Sequence, residues 1–220
     1  MIIGVCGLIG AGKDTIADYL VNIHQFRRES FANTLKDAVS SVFGWDRELL
    51  EGRTRHSREW REQVDPWWAE RLDMPELTPR WVLQYWGTEV VRRGFHDDTW
   101  IASLENKLRK TTDDVVISDC RFPNEIAAIK NAGGVVIRVH RGPDPEWYKL
   151  AKVVNSGPHN MTWTTSKLAL ENYGIHASET AWIGTKFDAV LDNNSTMDHL
   201  YAQITSLVQD LLAAKDDPIV

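Results

Sequence analysis

Residues 7–15 read Gly7-Leu8-Ile9-Gly10-Ala11-Gly12-Lys13-Asp14-Thr15, directly after the apolar run Ile2-Ile3-Gly4-Val5-Cys6 and directly before a helical pattern over Ile16–Ile23. A strand, a glycine-rich turn carrying a lysine, and a helix start form the layout of a phosphate-binding loop. The glycines let backbone N–H groups turn inward around phosphate oxygens with no Cβ in the way. The helix start adds unpaired N–H donors and the positive end of a dipole. Lys13 adds a mobile point charge for β- and γ-phosphates. These features place a nucleoside triphosphate on the chain. A glycine-rich turn that only caps a helix is the bland alternative, and the preceding strand and the lysine argue against it. In the usual pattern a hydroxyl follows the lysine and ligates Mg²⁺. Here Asp14 stands there and the hydroxyl comes next, at Thr15. An acid suits a helix start, and it can hold Mg²⁺ through a water.

Beyond the loop, strands and helices alternate, which predicts a mostly parallel sheet covered by helices. Strands are expected at Ile2–Cys6, Arg27–Phe31, Val115–Ser118, Val135–Val139 and Phe187–Leu191. Helices are expected at about Asp14–His24, from an Asn33 or Thr34 cap to Phe43 with Gly44 as stop, and at Thr99–Lys110, Asn124–Ala132 and Thr196–Leu212. Residues 45–100 break the rhythm. They hold seven of the ten tryptophans and Pro66, Pro75 and Pro79, and read as helices joined by loops. Thr78-Pro79 signals a helix start, with Gly94 as its end. Residues 141–182 read as irregular, a mobile flap whose root carries Arg138 and Arg141 within reach of donor phosphates. The 220 residues suit a single domain spanning 1–220, with a helical insertion at about 45–100 and the flap-like segment at about 141–182.

A net charge of −6 argues against coating of nucleic acid, so no direct nucleic-acid binding is expected. Cys6 and Cys120 each sit in an apolar run, with no disulfide framework or metal-ligand spacing. No segment approaches membrane-spanning length, and no basic region precedes the first strand. The expected location is cytoplasmic, host cytoplasm if the chain is phage-encoded. A homodimer is left open.

Three groups can carry chemistry beside the loop. Val115–Ser118 is a buried strand ending in Asp119, an acid at a strand's carboxyl end where such sheets bind ligands. Arg121 follows, to face a phosphate or pair with Asp119, and Glu125 sits on the next helix. Lys36-Asp37 opens the helix after the second strand, and Arg53, Arg55, Arg58 and Arg61 form a basic run from which one guanidinium can clamp a phosphate. Gln84 and Thr88, four apart on a predicted helix, offer an amide and a hydroxyl to a base edge, and the surrounding tryptophans offer faces for stacking.

Several segments match one family in order: Gly10-x-Gly12-Lys13-Asp14-Thr15, Phe31-Ala32-x-x-Leu35-Lys36-Asp37, Leu83-Gln84-x-x-Gly87-Thr88-Glu89, Asp98-x-Trp100, Asp119-x-Arg121-Phe122-x-Asn124-Glu125 and His176-x-Ser178-Glu179. The chain resembles the deoxynucleoside monophosphate kinases of tailed bacteriophages. The resemblance implies a three-layer P-loop NTPase fold, α/β with a mostly parallel sheet and an inserted helical acceptor-binding segment. It implies ATP and Mg²⁺ as cofactors and transfer of the γ-phosphoryl of ATP to a deoxynucleoside 5′-monophosphate. By matched position, Gly10, Gly12, Lys13, Asp14 and Thr15 would hold ATP, with Asp14 and Thr15 at the metal. Leu35, Lys36, Arg80, Gln84, Gly87, Thr88, Trp100, Asp119, Arg121 and Glu125 would form the monophosphate side, and Lys13, Arg121 and Asp119 would act in catalysis. The implied partners are small nucleotides. The alternatives are a P-loop kinase for another small metabolite and a non-enzymatic nucleotide-dependent binding module.

Overall fold

The computed structural model describes residues 1–216. In chain order the elements are β1 (Ile2–Cys6), α1 (Lys13–His24), β2 (Arg27–Glu29), α2 (Asn33–Phe43), α3 (Arg47–Glu51), α4 (Arg55–Arg61), α5 (Pro66–Leu72), α6 (Pro79–Tyr85) running into a π-helix (Trp86–Arg93), α7 (Thr99–Leu108), β3 (Val115–Ile117), α8 (Pro123–Asn131), β4 (Val135–His140), α9 (Glu146–Ser156), α10 (Met161–Asn172), α11 (Ala177–Thr180), β5 (Ala189–Asp192) and α12 (Met197–Asp216). They form two compact units. One joins Met1–Ser30 to the chain from Arg109 onward, and the other is Phe31–Leu108.

The first unit is α/β. Its five strands are parallel in the order β2-β3-β1-β4-β5. The chain leaves β1 toward one edge and later returns to pair β4 on the other side of β1. The loop after β1 therefore lies at the switch point, where parallel sheets bind ligands. Strand alternation points Ile3, Val5, Val116, Ile137 and Val139 to one face, where they pack with Ile16 and Leu20 of α1 and Leu200, Ile204 and Val208 of α12. The opposite face is closed by α8: a Cβ on Gly4 would come within 2.7 Å of Ile129 Cδ1. Helices thus cover both faces, giving the three layers. Among the described residues no helix is long and apolar enough to cross a membrane.

Residues 141–182 differ from the expectation of an irregular segment. Gly142, Pro143 and Pro145 precede α9, Gly157 and Pro158 precede α10, and the two helices between these breakers pack on each other. The breakers mark helix ends rather than absence of helix. Arg138, at the root of this segment, is engaged by the protein itself. Its guanidinium pairs with Asp144 and lies over the rings of Tyr148 (4.7 Å) and Trp182 (5.6 Å), anchoring the root of this hairpin.

The second unit is helical and starts at Phe31, so it takes in α2 ahead of residue 45. Asn33 is the first helical residue of α2 rather than a capping side chain, whereas Gly44 ends it at φ 70°. Later helix starts are strongly marked. Asp46 accepts from Glu48 and Leu49 N–H, Thr54 and Ser57 form a reciprocal box, and Asp65 and Thr78 accept from Trp68 and Trp81 N–H ahead of Pro66 and Pro79. The core is Leu35, Val39, Trp45, Leu50, Leu77, Val82 and Trp100, with Phe43 stacked on Trp45 at 4.5 Å. The single helix read from Thr78 to Gly94 is two: α up to Tyr85, then eight residues of π-helix. That wider winding is uncommon and collects at functional sites. Trp100 holds it, its indole N–H donating to Gly87 O at 3.0 Å.

Candidate active site

The turn after β1 forms around Gly10 (φ 76°) and Gly12 (φ 108°), backbone that side chains with a Cβ rarely adopt. Space demands glycine as well: a Cβ on Gly12 would sit 2.5 Å from Asn193 Nδ2. That amide donates to Ala11 O at 2.8 Å and clamps the loop from below. Lys13 curls over the turn, its ammonium donating to Gly7 O at 2.8 Å and Leu8 O at 2.9 Å. Gly12 offers no side-chain cap to α1, so the first-turn N–H groups are left for an anion. Burial pushes the Lys13 ammonium below its ordinary pKa, and the nearby Arg121 guanidinium pushes the same way against Glu179 and Asp14. A cation held in this way gains from an anionic ligand.

Asp14 projects from the first turn of α1, its side chain 85% exposed, and its Oδ1 accepts from Arg28 Nη2 at 2.6 Å. Arg28 also holds Asp18 (2.8 Å) and Ser118 Oγ (3.1 Å), tying α1, β2 and the end of β3 together. Thr15 Oγ1 has no protein partner among the described residues. Asp119 accepts from Ser30 Oγ at 2.6 Å. Of the two expectations for Arg121, facing a phosphate or pairing with Asp119, the structure shows no pairing with Asp119. Its Nη1 donates to Glu179 Oε1 at 3.1 Å and reaches Ser178 Oγ at 3.4 Å. The α11 helix, opened by His176 accepting from Ser178 N–H, brings Glu179 to the arginine instead. The buried Glu125 carboxylate accepts from the Arg121 and Phe122 backbone N–H groups at 2.8 and 3.1 Å, which fixes the arginine's backbone from the start of α8.

Arg28, Ser30, Glu179 and Asn193 are thus members of this constellation that sequence reasoning missed. Glu179 lay inside a quoted motif without a role. Asn193 lies just past β5, in no motif that the sequence offers. Arg28 sits in a three-residue strand, too short for periodicity to speak.

In the helical unit the expected monophosphate residues divide by burial. Leu35, Gly87 and Trp100 belong to its interior: a Cβ on Gly87 would meet Leu35 Cδ2 at 2.9 Å, and Trp100 is 8% exposed. Arg80, Gln84 and Thr88 are exposed at four-residue intervals along α6 and into the π-helix. Neither Gln84 nor Thr88 makes a side-chain hydrogen bond to the protein among the described residues. Lys36 is engaged, donating to Glu51 Oε2 at 2.8 Å, while Arg47 takes Glu51 Oε1 at 2.7 Å. Burial alone would push the Glu51 carboxyl up. The two cations outweigh it and hold that carboxyl down at about 2.

A glycine cradle, a desolvated lysine and an uncapped helix start at the switch point of a parallel sheet define a nucleotide-binding protein of the P-loop class. No protein-family model matches the chain. It is 30% identical over 225 residues to the protein of Acanthamoeba polyphaga mimivirus named "Putative deoxynucleotide monophosphate kinase", covering 96% of this chain and 97% of that one. It is 28% identical over 174 residues to the deoxynucleoside-5′-monophosphate kinase of Escherichia phage T5, covering 57% and 70% respectively. Among solved structures it resembles the dephospho-CoA kinase of Campylobacter jejuni (TM-score 0.47, 12% identity, 97% and 98% covered) and the shikimate kinase of Aquifex aeolicus (TM-score 0.42, 12% identity, 96% and 99% covered). The chain belongs to the deoxynucleoside monophosphate kinase family.

Proposed function

We propose that the chain transfers the γ-phosphoryl of ATP to the phosphate of a deoxynucleoside 5′-monophosphate, releasing the diphosphate and ADP. Kinship over nearly the whole chain to a protein bearing that name carries the reading. The loop geometry supports it.

Phosphoryl transfer asks little covalent help of a protein; alignment and charge neutralisation do most of the work. Gly10 and Gly12 open the backbone N–H groups to the donor phosphates, and Lys13 swings from its resting carbonyls to their oxygens. Asp14 and Thr15 fit a hydrated Mg²⁺, one offering a carboxylate and the other a hydroxyl with no protein partner. The ion, when bound, neutralises phosphate oxygens. Arg121 exchanges Glu179 for the transferring or accepting phosphate, and Asp119, held by Ser30, orders the acceptor. On the helical unit Gln84 and Thr88 read the base. The α9–α10 hairpin takes the part of the flap that excludes water from the donor phosphates. The two free, buried thiols, Cys6 and Cys120, support a reducing, cytoplasmic setting.

The test is ATP consumption by the purified protein, with Mg²⁺, against the four deoxynucleoside monophosphates, their ribose analogues and a panel of non-nucleotide acceptors. Turnover with at least one deoxynucleotide is expected. Turnover only with another metabolite overturns the reading, as does nucleotide binding with no turnover at all. Kinship does not favour either alternative.

A further inference from the structure

We propose that Arg61, at the end of α4, is the guanidinium that holds the 5′-phosphate of the acceptor. The inference rests on the kinase reading above and names a residue for its acceptor site.

Most cations of the helical unit named so far already have carboxylates. Lys36 and Arg47 share Glu51, Arg80 has Glu62 at 3.2 Å, and Arg55 has Glu59 at 2.6 Å. Arg61 has none. Its one protein contact as a donor is long, Nη1 to Leu50 O at 3.4 Å, and its Nε is buried with no partner among the described residues. Arg61 is half-buried, and burying its Nε without a partner is costly, a cost offset where an anion arrives to complete the group.

The surroundings are shaped for a flat cation. Gly52 (φ 68°) ends α3, and a Cβ there would lie 2.1 Å from Arg61 Cζ and Nη2, so glycine lets the guanidinium lie against the backbone. Contact with backbone on that side restricts the fork, which is the pre-organisation that bidentate phosphate recognition uses. Burial holds the Arg61 pKa below its ordinary value and the neighbouring Arg80 acts in the same direction, against Glu62 and Glu51. A phosphate reaching both arginines would add to the one carboxylate, Glu62, that already pairs with Arg80.

Arg80 then fixes the direction in which a bound nucleotide runs. It starts the exposed row Arg80, Gln84, Thr88, spaced one turn apart. A phosphate at Arg61 and Arg80 puts sugar and base along that row, toward the amide and the hydroxyl. The two ends of the acceptor site, separate guesses in the sequence, become one strip.

The competing reading is structural: Arg61 serves only to satisfy the Leu50 carbonyl at the end of α3. The experiment must separate the two. Binding of a deoxynucleoside monophosphate and of the same deoxynucleoside lacking phosphate is measured by calorimetry for the wild-type protein, Arg61→Lys and Arg61→Ala. The phosphate-bearing ligand should weaken by about ten- to a hundredfold in both variants, with the deoxynucleoside unchanged and KM for ATP nearly kept. Equal weakening of both ligands, or of neither, overturns the proposal. Should the variants fold poorly, the wild-type protein answers. The monophosphate, but not the deoxynucleoside, should protect Arg61 from an arginine-specific dicarbonyl reagent mapped by mass spectrometry, and absence of that difference overturns the proposal equally. A wild-type protein that phosphorylates no deoxynucleotide defeats the kinase reading itself. An active wild type with an unaltered Arg61→Lys defeats only the assignment of this residue.

Discussion

The α/β unit packs β-branched and leucine side chains from four of its five strands against α1 and α12, while the helical unit packs indoles and Phe43 against Leu35, Val39 and Leu50. The difference reaches the functional groups. In the α/β unit the candidate donor-phosphate groups are backbone N–H groups and one lysine set by a nine-residue loop, so local sequence determines their positions. In the helical unit they are long polar side chains laid over an aromatic core, and their positions follow from which helix packs on which. One unit offers a cradle that hardly changes with the acceptor. The other offers a surface that can be retuned by single substitutions. Four measurements break or sharpen this contrast.

The largest effect is expected in the loop. Lys13→Ala should lower turnover by about a hundred- to a thousandfold, the range seen when one donor to developing charge is removed. The melting temperature should change little, because the ammonium bonds only to two carbonyls of its own loop. Undiminished turnover at saturating ATP would show that the loop's charge is not what drives transfer.

Acid should strike the helical unit next. Glu51 is held at about 2, below the 4.5 of an ordinary glutamate, so its ion pairs stabilise fully above pH 4.5. That contribution is lost as pH falls from 4.5 toward 2. The shift corresponds to of order 3 kcal/mol. Denaturant unfolding followed by tryptophan fluorescence reports on the unit that holds Trp45, Trp60 and Trp68. Glu51→Gln should be less stable at pH 7 and should flatten the acid decline. An unchanged decline in that variant would place the acid sensitivity elsewhere.

How much of this was legible divides along the same line. Strands at 2–6, 115–117 and 135–140 follow from runs of Val and Ile, and the loop from its glycine spacing. The caps at Thr78 and Gly44 follow from turn chemistry. What sequence did not reveal is non-local. Arg28 meets Asp14 fourteen residues away, Arg121 meets Glu179 fifty-eight away, and Asn193 meets Ala11 across 182. The α10 helix was hidden because Met161–Asn172 is rich in β-branched threonine and carries exposed apolar residues, Met161 and Leu168, on no clear stripe. The π-helix leaves no mark in a pattern read at 3.6 residues per turn.

Trp100 tests whether the family's motif residues all touch ligand. It falls in the segment Asp98-x-Trp100 that matches the family, yet it is buried with its N–H on Gly87. Trp100→Phe keeps the ring and removes the donor, so it should cost about 1–3 kcal/mol by leaving the Gly87 carbonyl short of a partner. KM for the monophosphate should rise only as far as the π-helix loosens. A large rise in KM at unchanged stability would put the indole against the nucleotide after all.

The smallest effect is the most informative about specificity. Gln84 and Thr88 are exposed, carry no hydrogen bond to the protein among the described residues, and flank the junction where α6 widens into the π-helix. Side chains that only completed a tryptophan core would be buried and paired, so the structural account of them is weak here. Gln84→Ala and Thr88→Val should therefore leave the melting temperature alone. What should move is the ratio of kcat/KM among the four deoxynucleoside monophosphates, by about tenfold or less per contact, since one base-edge hydrogen bond is worth about 0.5–1.5 kcal/mol and 1.4 kcal/mol is tenfold. The direction is informative as well. An amide can donate and accept, so losing Gln84 should penalise the preferred base most and leave the poorest substrate nearly unaffected. A uniform fall across all four, or a fall tracking lost stability, would return both residues to the scaffold and leave base selection to the tryptophan faces.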